Sequence, residues 1–445
     1  MIFNDIGIQV PRVLIPRPDT DLNLWAVIAC DQYTSQPDYW KKVRKLVGNS
    51  PSTLHLIMPE IDLDAPERDR RIRNIHKTMQ HYLDKELYLT LNPGFILVDR
   101  ATPHATSRKG LIVGLDLECY DYREGAKSLA RSTEGTIMDR LPPRIEIRKH
   151  APIELPHIMV LIDDPGKTVI EPLFDQDPEK IYDFDLMMHG GHITGYHVDK
   201  RKLIEQIATN LRHLANTTTF NNKYGLAGKP PMLYAMGDGN HSFATAKVLW
   251  DQIKQEINDP ELLKNHPARF AMVELVNIHD EGLSFEPIHR VLFDVNKQDV
   301  LERMRDFFTA QGTGFELETL DPGAALERLT PSSPNDSIQR IEFITSDCNG
   351  LIRLRNPKLS LEVASLQDFL DTTLPQARID YIHGKDVLLE LGSFQDNIGF
   401  CLPPVPKHNF FRSIITDGAL PRKTFSMGEA DEKRFYLEGR RIVSG

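Results

Sequence analysis

Residues Met232 to Trp250 constrain the fold most, because an apolar run, a turn with two glycines and a helix-forming run follow one another without a break. Met232-Leu233-Tyr234-Ala235-Met236 has the length and apolarity of a buried strand, whereas Phe243 onward, with Ala244, Ala246, Leu249 and Trp250, reads as a helix. Gly237 to Ser242 is therefore a strand-to-helix turn. A helix start leaves backbone N–H groups without intrahelical partners and carries the positive end of the helix dipole, so it favours anions. Gly237 and Gly239 let a phosphate approach the backbone, and Asp238, Asn240, His241 and Ser242 supply side chains for a metal, a phosphate or a proton. An ordinary helix cap uses some of the same residues, with Asn240 or Ser242 capping and Asp238 holding the turn. Four polar groups, however, converge where a cap needs one.

The rest of the chain supplies strands and helices in mixed order. Trp25 to Cys30, Leu54 to Met58, Gly94 to Val98, Gly110 to Cys119, Ile158 to Ile162 and Phe270 to Asn277 read as strands, and Asp38 to Val47 and Ala65 to Lys85 as helices. In the second helix Ile72, Ile75, Met79 and Leu83 recur at helical spacing, a core stripe beneath a charged outer face. Asp163-Asp164-Pro165-Gly166 is a turn, Asn221 to Pro231 is linker-like, and Pro331 to Ser337 is a loop. This alternation predicts an α/β or α+β protein, with mixed sheets and flanking helices. The expected organisation is a core over residues 1–295, a smaller α/β lobe over 296–391, and a C-terminal segment, 392–445, that returns to the core site.

Composition narrows the function classes. A chain of 445 residues with 40% hydrophobic and 26% charged residues can bury a large core. Its apolar runs are strand-sized, far short of the ~20 residues that span a bilayer, so no membrane partner is expected. The first residues show no charged-then-apolar leader pattern, and Cys30, Cys119, Cys348 and Cys401 are scattered without metal or redox spacing. A cytoplasmic setting is the simplest expectation. The formal net charge of −10 comes from interspersed acids and bases, with no basic patch or DNA-reading helix, so no nucleic-acid partner is expected either. A phosphate site must then be local, and the partner a small-molecule substrate.

Two further polar clusters and one group of histidines carry chemistry. Arg131-Ser132-Thr133-Glu134-Gly135-Thr136, continuing to Asp139-Arg140 and Arg144, offers hydroxyls and cations for phosphate, with Glu134 able to ligate Mg²⁺ or accept a proton; a surface loop with ordinary ion pairs has the same composition. Near the C-terminus, Lys423 and Thr424 complete an anion site or begin a polar tail. His189, His192 and His197 are spaced closely enough for zinc, yet glycines between them make a turn rather than a helix face presenting ligands. His157 and His289 read as hydrogen-bonded structural histidines. Walker, Gly-x-Ser-x-Gly, Gly-x-Gly-x-x-Gly and His-Glu-x-x-His patterns do not occur.

Arg131-Ser132-Thr133-Glu134-Gly135-Thr136, Asp139-Arg140, Gly237-Asp238-Gly239-Asn240-His241-Ser242 and Leu420-Pro421-Arg422-Lys423-Thr424 together resemble the bacterial family known as domain of unknown function 1015 (DUF1015), over almost the whole chain. Most members carry His-Glu-x-Thr and Asp-Gly-His-His-Arg. Here Thr133 stands for the His, Asn240 for the first His of the second motif, and Ser242 for its Arg. Ala29-Cys30-Asp31-Gln32-Tyr33-Thr34 and the tail from Lys423 to Glu429 mark a sub-branch. The second motif is similar to one in the ParB and sulfiredoxin-like superfamily, which includes free-serine kinases, and family genes tend to lie near serine-biosynthesis genes.

The resemblance implies a ParB/sulfiredoxin-like nucleotide-binding core and phosphoryl transfer on a small hydroxy amino acid, serine or phosphoserine, with ATP or ADP and Mg²⁺ as cofactors. Phosphoryl transfer is mostly positioning and charge neutralisation. Catalytic roles then fall to Glu134, His241 and Asp238, with Asp238 and Glu134 as metal ligands. Phosphate or nucleotide contacts fall to Arg131, Thr133, Thr136, Arg140, Gly237, Gly239, Asn240, Ser242, Lys423 and Thr424. A nucleotide-dependent binding or regulatory module without turnover is the alternative, and a metal hydrolase built on the three close histidines is the third reading.

Overall fold

The computed structural model describes residues 1–34, 36–123, 125–320 and 338–443; the loop expected at Pro331 to Ser337 lies outside them. The chain forms two compact units, Met1–Leu283 with Gly428–Gly445, and Ser284–Met427. Both are mixed α/β in composition.

The first unit is built on an eleven-stranded mixed sheet. Its main strands are β1 (Phe95–Ala101), β2 (Arg108–Asp116), β3 (Tyr120–Asp121), β4 (Ala130–Arg131), β5 (Met159–Ile162), β6 (Glu179–Asp185), β7 (His192–Val198), β8 (Tyr234–Asp238) and β9 (Phe270–Asn277). They run in the order β6-β7-β1-β2-β9-β5-β8-β4-β3. Pairing is antiparallel from β6 across to β9, parallel between β9 and β5, antiparallel between β5 and β8, and parallel from β8 to β3. Successive residues in a strand face opposite sides, so β1 sends Phe95 and Leu97 into one core and Ile96 and Val98 into the other. Both faces of the sheet's centre are therefore covered, which is why β5 and β9 read as near-unbroken apolar runs, whereas the outer strand β6 alternates exposed and buried residues.

Helices close both faces. On one side lie α1 (Pro37–Val47) and α2 (Arg68–Asp84), which bury Trp40, Val43, Ile72, Ile75 and Met79. After α3 (Leu141–Lys149), the other side is closed by α4 (Arg201–Ala215) and α5 (Asn240–Glu256), through Leu203, Ile204, Phe243, Ala246 and Trp250. Two expected strands are different elements. Trp25 to Cys30 begins as the end of a short helix, Leu22–Trp25, capped by Asp21, and only Val27–Ile28 is extended. Leu54 to Met58 is not a strand: Thr53–Leu56 is a 3₁₀ turn, because the Ser52 hydroxyl accepts the Leu54 N–H and the Thr53 hydroxyl donates to the Trp25 carbonyl. Side-chain bonds of that kind compete with strand pairing.

The second unit carries a seven-stranded sheet of β10 (Phe285–Phe293), β11 (Gly314–Leu320), β12 (Ile338–Ile344), β13 (Asn349–Arg355), β14 (Arg378–His383), β15 (Ile398–Cys401) and β16 (Phe425–Met427). All pairs are antiparallel, in the order β11-β13-β12-β15-β10-β14, with β16 on the first residues of β10. Residues 284–295 and 392–427 thus belong to this unit, whereas the sequence reading placed them with the core and with the C-terminal segment. The return to the first unit begins at Gly428.

From there β17 (Phe435–Tyr436) pairs with Val27–Ile28, and β18 (Arg440–Arg441) pairs with Ile153–Glu154. Between them the chain threads a buried ionic network. Arg434 is paired with Glu274 and, at 2.5 Å, with Glu438, while Arg440 meets Glu154 at 2.6 Å. Arg434, Glu274, Glu438, Arg440 and Glu154 are all buried. Pairing makes this burial tolerable; one partner alone would be strongly destabilising.

Candidate active site

Strand β8 ends at Asp238, Gly239 turns the chain at φ +77°, and α5 starts at Asn240. The turn needs glycine for two reasons: the backbone is left-handed, and a Cβ there would lie 3.1 Å from the Ile158 Cα. Asp238 turns one oxygen back onto the Gly239 N–H at 2.8 Å and the other toward Lys433 Nζ at 3.3 Å. Burial alone would raise its carboxyl, but the charge of Lys433 and the Gly239 bond outweigh that and hold it below its ordinary value. It stays an anion. Lys433 comes from the C-terminal segment and was not among the residues expected at the site.

The loop after β4 reaches the same turn. Parallel pairing of β4 with β8 sets the two segments side by side. The Thr133 hydroxyl donates to the Met236 carbonyl at 2.7 Å, Ser132 Oγ lies 3.3 Å from Asn240 Oδ1, and the Ile137 N–H donates to His241 Nε2 at 3.3 Å. Two of the three polar clusters therefore meet. Their residues differ in what they face. Arg131 is turned away from the turn, its guanidinium donating to the carbonyls of Ser128 and Pro230. Thr133 is buried and committed to the strand, and Ser132 also donates to the Glu134 carbonyl at 2.5 Å. Glu134 is half-buried in that loop, Thr136 Oγ1 is buried without a hydrogen-bond partner, and Arg140 is exposed.

His241, on the first turn of α5, is held neutral. Burial, then the nearby Arg144 and Arg140 guanidinium groups, push its pKa down to about 4. With Nε2 accepting from Ile137, the remaining proton sits on Nδ1. Lys423 and Thr424 belong to the second unit, where Lys423 lies 5.1 Å from the Tyr381 ring centre and Thr424 donates to the Pro421 carbonyl.

Beside α5 a cavity of about 140 Å³ is walled by Leu56, Met58, Met79 and Ile147 and carries Arg144 and Glu60, which form an ion pair. Ser242 and His157 line it too. His157 Nε2 lies 3.0 Å from Ser242 Oγ and Nδ1 lies 3.0 Å from the Tyr436 hydroxyl, which in turn donates to Cys30 Sγ at 3.1 Å and accepts the Cys30 N–H at 3.3 Å. Burial, with the Asp31 charge second, pushes the Cys30 thiol up to about 12, so it is protonated. The sequence reading left His157 structural and gave Tyr436 no role. Only the fold brings residues 30, 157, 242 and 436 together.

Metal sites fit poorly. Among the described residues no three His, Cys, Asp or Glu side chains gather as a metal site. Asp238 spends both oxygens on Gly239 and Lys433, so it does not stand open as an Mg²⁺ ligand. His192 bonds Asp183 and Asp185 on the outer strand, whereas His197 is buried and bonds the Asn92 carbonyl. These histidines do not converge. No helix among the described residues is long and apolar enough to cross a membrane.

Among solved structures the chain resembles a mutant free serine kinase in complex with ADP, at 11% identity and a TM-score of 0.37, over 74% of this chain and 92% of that one. It also resembles a conserved hypothetical protein from Pyrococcus furiosus (13% identity, TM-score 0.33, 75% and 95% covered). A C-terminally truncated SbnI from Staphylococcus aureus is similar at 9% identity and a TM-score of 0.33, with 71% and 82% covered. Likeness of this degree assigns neither substrate nor reaction. No match was found among curated proteins. The family model described as protein of unknown function DUF1015 matches residues 13–373, most of the chain, and the protein belongs to that family.

Proposed function

We propose that the turn at Gly237 to Ser242 binds a phosphoryl group and that the protein is a phosphoryl-transfer enzyme acting on a small hydroxy amino acid, serine or phosphoserine. One observation carries the reading. The start of a seventeen-residue helix opens beside Lys433, Arg140 and Arg144, while the histidine on its first turn is kept uncharged and so available as a hydrogen-bond or proton partner. In this scheme the backbone N–H groups of Asn240 to Ser242 hold phosphate oxygens, Arg140 neutralises charge, and Glu134 orients or deprotonates the substrate hydroxyl, or activates water. Asp238 fixes Lys433. The serine assignment comes from the family resemblance, and ATP or ADP is the donor or acceptor it suggests.

A second reading, a nucleotide-dependent binding module without turnover, is favoured by one fact: Arg131 and Thr133 are spent on backbone carbonyls rather than turned to a ligand. Incubating the protein with Mg²⁺ and serine plus ATP or ADP, and separately with phosphoserine, while following ³¹P NMR, tests both. Formation or loss of phosphoserine supports the enzyme. Saturable binding with no conversion in any mixture supports the module.

A further inference from the structure

The contacts around Tyr436 join Cys30, His157 and Ser242 in one chain along the cavity wall. Its O–H is given to Cys30 Sγ, so its oxygen lone pairs face the Cys30 N–H and His157 Nδ1. In the tautomer that matches this donation Nδ1 carries the imidazole proton, and Nε2 then accepts from the Ser242 hydroxyl at 3.0 Å. A serine with a neutral imidazole behind it, and a buried hydroxyl orienting that imidazole, is the arrangement of an activated nucleophile. Ser242 also sits on the first turn of α5, where backbone N–H groups favour an oxyanion, and it opens into a cavity with an apolar wall.

We propose that Ser242 is a nucleophile, with His157 as its base and Tyr436 as the positioning residue, that takes a phosphoryl group from a phosphomonoester whose organic part lies against the apolar wall. The inference rests on the phosphoryl-transfer reading above. In the first step a bond forms from Ser242 Oγ to phosphorus as the ester P–O bond breaks, and the serine proton passes to His157 Nε2 and from there to the departing oxygen. In the second step water or an acceptor hydroxyl, oriented by Glu134, gives its proton to Nε2 and attacks phosphorus; the P–Oγ bond breaks, and the proton passes from Nε2 to Oγ to restore Ser242 and the neutral imidazole.

A fluorophosphonate probe tests the nucleophile directly, since Oγ attacks phosphorus and fluoride leaves. The full-length protein should be labelled, with the added mass on the peptide holding Ser242. His157→Gln should slow labelling by about 10²–10⁴, and Tyr436→Phe should move the pH midpoint of labelling, which a residue that only packs would not do. Turnover of 4-nitrophenyl phosphate should fall in parallel. Absence of label on Ser242 in a wild-type protein that does turn over phosphoserine overturns the nucleophile and leaves the phosphoryl reading standing. Label on Ser242 without turnover of any phosphate ester upholds the nucleophile and overturns that reading. Mapping the label on the wild-type protein needs no variant to fold.

Discussion

At the scale of single residues, charge state decides what the site can do. Glu134→Gln keeps shape and hydrogen bonding but removes a base, so phosphoserine turnover should fall by about 10²–10⁴ while the melting temperature stays put; unchanged turnover would remove Glu134 from the mechanism. His241 supplies a pH signature. Its folded pKa of about 4 lies below the ordinary value of 6.5, so as pH falls the unfolded chain takes up the proton first. The stability it contributes is fully present above pH 6.5 and drains away between 6.5 and 4. His289, whose pKa burial and Arg290 also push down to about 4, adds a loss in the same window from the second unit. Melting temperatures at pH 7 and pH 5 should show a smaller drop for His241→Gln than for the wild type, and an identical drop would show that the imidazole is not held neutral.

Much of this was legible in residue order, and some was not. Asp238, Gly239 and His241 lie within one strand-turn-helix, so local pattern alone marked them. Thr133 and Ile137 come to the same turn because β4 pairs with β8, a contact across about a hundred residues that the shared polar chemistry only hinted at. Tyr436 and Lys433 left no local trace. A tyrosine in an apolar stretch and a lysine among charges read as core and surface, and only the pairing of β17 with Val27–Ile28 turns them toward Cys30, His157 and Asp238.

At the scale of elements, the C-terminal segment supplies two strand pairings and the arginines of the buried ionic network. Two of its arginines, Arg434 and Arg440, are buried rather than surface charges. Arg434→Met removes the cation that faces Glu274 and Glu438 and leaves both carboxylates buried, which should cost about 3–5 kcal/mol. Thermal or urea denaturation would read this, and a loss under about 1 kcal/mol, the size of an exposed pair, would mean that water reaches the network. The elements whose type differed from expectation, Leu22–Trp25 and Thr53–Leu56, share one cause: Asp21, Ser52 and Thr53 side chains bond nearby backbone and so override the apolar pattern of the residues beside them. Phe270 to Asn277 is a strand over its whole predicted length, and its one side chain of this kind, Asn277, accepts the His279 N–H only where the strand ends.

At the scale of the whole molecule, the second unit is an insertion. It leaves the first at Leu283 and returns at Gly428, and the exit and return strands are paired, Phe285 opposite Met427. Opposed residues of an antiparallel pair have Cα atoms about 4.5–5.5 Å apart, a gap that a two-residue hairpin turn spans. Replacing Ser284–Met427 by Asn-Gly should therefore give a soluble protein with a single cooperative unfolding transition, whereas truncation after Met427 should abolish that transition. Failure of the Asn-Gly chain to fold would show that the first unit depends on the second.

That layout also sets an order of events during synthesis. The strands of the first unit and the pocket wall at Cys30 and His157 leave the ribosome early, but Arg434, Tyr436 and Arg440 follow only after the whole insertion. At about 5–20 residues per second the wait is on the order of ten seconds. During that time Glu274 lacks Arg434, Glu154 has Arg148 but not yet Arg440, and Val27–Ile28 is an open edge. A nascent chain in this state displays an unpaired strand edge, the kind of feature that makes incompletely folded chains prone to aggregation. The strap that finishes the fold is thus also a proof that translation has run through it.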